Sequence, residues 1–176
     1  EKIGGWEAAT FTPYVGEAVK LFVYAIDTGA AIAGLATTKK IYIRAGTTLY
    51  DITPIRTTFT TSTTPSTDNC FTTNTTTGTE GQVLVTLAGH GATTGDFVTF
   101  SGAVAVGGIT AVQLNLEFEV TVLTGSTFTI QTAGTATSVA TGGGTSITAA
   151  FQINIGADSS IAGYGWGAGT WSRGTW

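Results

Sequence analysis

Between residues 18 and 155 the chain is a succession of short runs of β-branched and aromatic residues, each cut by glycine. Such runs suit a pleated sheet, because a branched Cβ packs well there and loses χ1 freedom in a helix. Twenty-five glycines stand against three prolines, and much of the threonine lies beside glycine and valine. No convincing helix interrupts the pattern, so the class expected is all-β, built from hairpins and turns.

The first 56 residues read as a β-meander like one blade of a propeller. "AVKLFVYAID" (18–27) alternates Val19, Leu21 and Val23 with Lys20, Phe22 and Tyr24, as a strand packed on both faces. A turn at "TTKK", a strand at Ile41 to Arg44, a turn at "AGTT" and a stop at Pro54 follow. Alone, one such sheet cannot bury both of its faces, and it needs neighbours.

Residues 57–81 read as a Thr/Ser-rich connector, and residues 82–156 as a small β-barrel or sandwich. Within the latter, "LEFEVTVLTGSTFTIQT" (116–132) has the form of a hairpin turning at "TGS", with Phe118, Val120 and Val122 on one face. Residues 157–176 form a Gly/Trp-rich tail.

Charge is scarce: 10% of residues, where a soluble domain carries about 25%. Free monomers keep more charge on their surfaces, so other subunits are expected to cover much of this one. The net charge is −4 and the basic residues are scattered, which excludes a phosphate-gripping surface. No apolar run approaches the ~18 residues of a membrane span, so no membrane partner is expected. The lone Cys70 permits no internal disulfide and no C-x-x-C site, and cytoplasmic synthesis is expected. Without a methionine and with a repeat still running at Trp176, the chain reads as a piece of something longer.

Candidate chemistry is thin. His90, the single histidine, would act as a general base only with Asp96 or Ser101 beside it; in "GHG" it reads instead as a turn cap whose ring bonds a backbone carbonyl. Glu117 and Glu119 share one strand face as solvating charges rather than an opposed glycosidase pair. Asp158 lacks the repeated acidic loop of a calcium site, and "NTT" at Asn74 is a chance acceptor motif in Thr-rich sequence. No catalytic residue, cofactor or metal is expected, and the chain is read as a non-enzyme.

The aromatics are more informative. Trp166, Trp171 and Trp176 recur every five residues beside glycine, with Tyr164 close by. Indole buries much area for few rotatable bonds, and glycine lets the backbone bring each ring to its own socket. These four residues are the candidate assembly contacts. The competing uses are stacking on sugars, as in an adhesion module, and packing within a longer repeat.

Four stretches, "EKIGGW" (1–6), "LATTKKIYIRAGTTLYDITPIR" (35–56), "HGATTGDFVTFSGAVAVGGI" (90–109) and "GWGAGTWSRGTW" (165–176), together resemble virion structural proteins of tailed bacteriophages. The likeness is to the tail hub or nozzle proteins of short-tailed phages, related to the packaged-DNA stabilisation proteins. Residues 82–156 also resemble a small β-barrel module of phage tail proteins, similar to a domain of ubiquitin-activating enzymes. The resemblance implies a subunit, assembled in the bacterial cytoplasm, that continues the DNA channel below the portal and helps retain the genome. Its implied partners are tail and connector subunits and copies of itself, with DNA passing nearby without specific binding. The chain departs from that family in its length and in the Thr-rich stretch around Cys70.

Overall fold

The computed structural model describes residues 13–25 and 31–154. They are nearly all β-structure, in antiparallel sheets, and fall into two units that divide between Thr53 and Pro54.

In the first unit, β1 (Ala18–Ala25), β2 (Ala31–Thr37), β3 (Ile41–Ala45) and β4 (Thr48–Asp51) form a four-stranded meander in chain order. The turn between β2 and β3 is held by Thr37, whose hydroxyl accepts from the Lys40 N–H at 2.8 Å and donates to Val15 O at 2.7 Å. That second bond ties the incoming segment to the turn, as does the Thr38 N–H on Glu17 O at 2.8 Å. Gly46, at φ +62°, supplies the left-handed residue that lets β3 double back into β4.

Opposite β1, β2 carries Gly34 directly across from Phe22. A Cβ at Gly34 would collide with the far end of the Phe22 ring, which reaches over the glycine and stacks on Tyr24 with ring centroids 6.1 Å apart. The expected burial of this strand on both faces is not observed. Every residue of β1 is exposed, because it is the outer strand of a single sheet whose two faces lack a second layer among the described residues.

The second unit, Pro54–Asn154, is a sandwich. One sheet runs β10 (Thr121–Thr124), β11 (Thr127–Gln131), β7 (Gln82–Thr86), β6 (Phe71–Thr73), β12 (Thr141–Gly142). The other runs β5 (Ile55–Phe59), β13 (Thr148–Gln152), β8 (Phe97–Ser101), β9 (Glu117–Glu119). Inward residues of both sheets meet in one cluster: Phe71, Val83, Val85, Phe128 and Ile130 against Val98, Phe100, Phe118, Ala149 and Phe151. Phe71 meets Phe100 edge-on at 4.9 Å and Phe128 meets Phe151 at 5.8 Å, each pair bridging the sheets. Each buried ring contributes roughly 1.5–3 kcal/mol from its removal from water. Of the two forms expected, barrel or sandwich, the sheets take the open one.

Two further expectations meet a different structure. The Thr-rich stretch 57–81 contributes β6 and most of β5, and Thr67, Cys70, Phe71 and Thr73 are buried. Threonine is tolerated there because its hydroxyl finds backbone partners: Thr67 donates to Ile147 O, and Thr73 to Ser138 O at 2.8 Å while accepting from the Ala140 N–H at 3.0 Å. The expected hairpin at 116–132 is real only from Thr121 onward. Glu117–Glu119 pairs with β8 in the other sheet, and Val120 makes the corner by exchanging backbone bonds with Gly95 and Asp96 at 2.9 Å.

One helical turn, α1 (Ala111–Leu114), follows the β8 loop, with the Gln113 carboxamide accepting from the Thr110 N–H at 3.0 Å and Leu114 fully buried.

Candidate assembly surface

An extended run of exposed apolar side chains lies on β1. Val19, Leu21 and Val23 are each about two-thirds exposed, with Phe22 and Tyr24 close to half, and Lys20 is the strand's one charge. Antiparallel register carries the pattern across the sheet. Phe22 and Tyr24 share a face with Ile32, Ile43 and the exposed Tyr50. Leu21 and Val23 share the other with Leu35, Ala33 and Arg44. A shallow cavity of about 310 Å³ is lined by Val23, Ile32, Ala33, Arg44 and Gly46. The β1 edge bonds to no other strand among the described residues.

Polar chemistry pins the opposite side of this sheet. The Lys40 ammonium, 1% exposed, donates to Asp51 Oδ2 at 2.7 Å, and Asp51 Oδ1 accepts from the Thr53 N–H at 2.9 Å. Burial raises the Asp51 pKa, but the hydrogen bonds from Lys40 and Thr53, with the Lys40 charge, outweigh it and hold the carboxyl below its usual value. The Tyr42 hydroxyl accepts from the Val15 N–H at 3.0 Å. These contacts hold β4 and the entry segment in place and leave β1 as the loosely covered edge.

In the sandwich, His90 is 1% exposed and both ring nitrogens are engaged. Nδ1 accepts from the Ala92 N–H at 3.0 Å, so Nε2 carries the proton and donates to Thr124 O at 3.0 Å. The ring packs edge-on to Phe128 at 5.1 Å, and Arg56 reaches the His90 carbonyl at 3.0 Å while lying over Phe151 at 5.3 Å. This is the expected turn cap. Asp96 and Ser101 are not brought to it: Asp96 accepts from the Thr93 N–H at 2.9 Å and from Asn154 Nδ2 at 3.0 Å, and Ser101 is exposed at the end of β8.

Glu117 and Glu119 flank buried Phe118 on the exposed face of β9, and Glu117 accepts from Gln152 Nε2 at 2.7 Å. Asn74 organises its own turn, accepting from the Thr76 N–H at 3.0 Å and donating to Thr79 Oγ1 at 2.9 Å. Burial, with a minor push from Asp68, drives the Cys70 thiol up to about 12 against an opposing backbone hydrogen bond. No group of three or more His, Cys, Asp or Glu among the described residues stands close enough to hold a metal ion. None of their helices is long and apolar enough to cross a membrane. Tyr164, Trp166, Trp171, Trp176 and Asp158 lie outside the described residues.

The exposed β1 surface was missed in the sequence because a strand buried on both faces and one waiting for a partner have the same apolar pattern. The available signal was that a lone meander has no second layer to bury it.

No protein-family profile matches the chain. No curated protein matches it in sequence. Among solved structures it is similar to the phage phi92 endosialidase, with 20% identity and a TM-score of 0.38 over 76% of this chain. The chain spans about a fifth of that protein's length (19%), and a superposition so loose transfers neither fold nor activity.

Proposed function

We propose that the chain is a non-enzymatic structural subunit of a bacteriophage virion. It is built into the tail at the hub or nozzle, where it continues the DNA channel and helps retain the genome. The observation that carries the reading is β1: an eight-residue apolar edge strand, exposed throughout, on a sheet without a second layer among the described residues. Natural monomers blunt such edges with charge, proline or a covering loop. An edge left apolar is a place for another protein chain, and assembly is the function such a surface serves. The order of the four phage-like motifs supports a virion as the assembly. A sheet of four strands in chain order is compatible with one blade of a larger propeller.

Mass spectrometry of purified virions, with electron microscopy of particles labelled by antibody to this chain, tests the reading. The expected result is a tail-associated signal, and absence from the particle ends the proposal. Binding on a glycan array that is lost in Trp171→Ala would replace it with the adhesion-module alternative.

A further inference from the structure

We infer that the face of the meander bearing Phe22, Tyr24 and Tyr50 stacks on the same face of a second copy. This rests on the assembly reading above and names the partner.

The two faces of this sheet differ. Register sets Phe22, Gly34, Ile43 and Tyr50 in one row across the strands, with Tyr24 opposite Ile32 in the next. Lys20 is the only charge at the strand positions of that face. It stands on an edge strand, where its stem can lie along the face while the ammonium stays in water. The other face carries Arg44 and Asp51, and the entry segment reaches it through the Val15 N–H on the hydroxyl of buried Tyr42 at 3.0 Å. Polar ties occupy that side, and the aromatic side is left to apolar contact. The glycine at position 34 lets the Phe22 ring reach inward from the edge, so aromatic cover extends from β1 over β2.

A broad sheet face of this kind is suited by another sheet, packed about 10 Å away. The second unit of the chain does this with its own two sheets, where Phe71 and Phe100 meet across the layer.

Composition and size select a second copy as the occupant. Contacts between unlike, separable proteins are about as polar as the rest of the surface, while homodimer contacts are more apolar. Phe22, Tyr24 and Tyr50 are each about half exposed, which leaves about 300 Å² of their surface to water. The part-buried Ile32, Ile41 and Ile43 bring the face to on the order of 500 Å². Two copies then bury about 1,000 Å², the size that a specific contact must clear. Pairing about a two-fold axis presents the same patch from both sides, so the patch is used up in the pair.

Sedimentation equilibrium of the full chain across micromolar concentrations should show a dimer. Tyr24→Lys should raise its dissociation constant about a hundredfold, because the ring enters the contact twice, once from each copy. Val23→Lys, the neighbouring residue on the opposite face, should change it less than about threefold. A monomer overturns the inference, whatever else seats on the face. So does a dimer that Tyr24→Lys leaves intact or that Val23→Lys breaks equally. Isotope-filtered NOE spectra of mixed ¹³C-labelled and unlabelled chain, both unaltered, remove any dependence on how the variants fold. Cross-peaks between copies are expected from the Ile32 or Ile43 methyls to ring protons of Phe22 or Tyr50, and a dimer without them overturns the inference as well. None of these outcomes touches the virion reading, which falls on absence from the particle.

Discussion

The two units draw on the same residues, β-branched side chains and glycine in antiparallel strands, and end with opposite surfaces. In Pro54–Asn154 the buried apolar cluster collects from both sheets, from Cys70 and Phe71 to Phe151. Among the described residues before Pro54, Tyr42 is the one apolar side chain that is buried. The sandwich is a layer structure in which each sheet is the other's cover. Among the described residues the meander is one layer, held by turn bonds around Thr37 and by the Lys40–Asp51 pair. What separates them is therefore the presence of a second layer and not strand quality, since four strands with good register still need a packed face to be stable.

Excision is the strongest way to break this comparison. Residues 54–154 alone should unfold in one sharp denaturant transition with a dispersed NMR spectrum, and residues 13–53 alone should show neither. A cooperative transition from 13–53 would mean that the sheet is self-sufficient.

Cys70 reports the same contrast chemically. With its thiol near 12, the native thiolate at pH 8 is scarcer than in the unfolded chain by roughly a thousandfold. Ellman's reagent should accordingly be slow on native protein and fast in denaturant. Rapid native labelling would show that the sandwich opens at its Thr-rich strand.

Phe100→Ala, a cut at the contact with Phe71 and Phe118, should cost about 3–5 kcal/mol in urea unfolding of the sandwich. In the meander, Asp51→Asn should cost on the order of 2–3 kcal/mol, less than for a fully enclosed pair because the carboxylate is partly open to water. The Asp51 pKa is lower folded than unfolded, so its contribution is whole above about pH 4 and drains away as pH falls through the folded value. Asp51→Asn should flatten that acid limb, which a pH series of urea midpoints measures.

Leu21→Thr should be the mildest, within about 0.5 kcal/mol in the unassembled chain, because the residue is already in water. A larger loss by thermal melting would show the edge to be covered already.

Local features were readable in advance. The turns at "TTKK" and "AGTT", the Gly125 hairpin and the capping role of His90 depend on neighbours a few residues away, where side-chain chemistry acts directly on the backbone. The Thr-rich stretch was harder. Low complexity reads as connector, yet Thr67 and Thr73 become core once Ile147, Ser138 and Ala140 present carbonyls some 65–80 residues away in sequence. The corner at Val120 was hidden for a similar reason, since alternation continues through it while the partner strand changes.

Composition and periodicity by themselves determined that this chain makes strands, where most of the turns fall, and that few charges remain for its surface. Each follows from local sterics and solvation, which act within a few residues. Tertiary structure alone decided which strands share a sheet, that the threonine stretch joins a core, and that β1 is bare among the described residues. Those outcomes depend on which distant segment arrives to bury a face, and an apolar strand carries the same letters whether or not its partner has come.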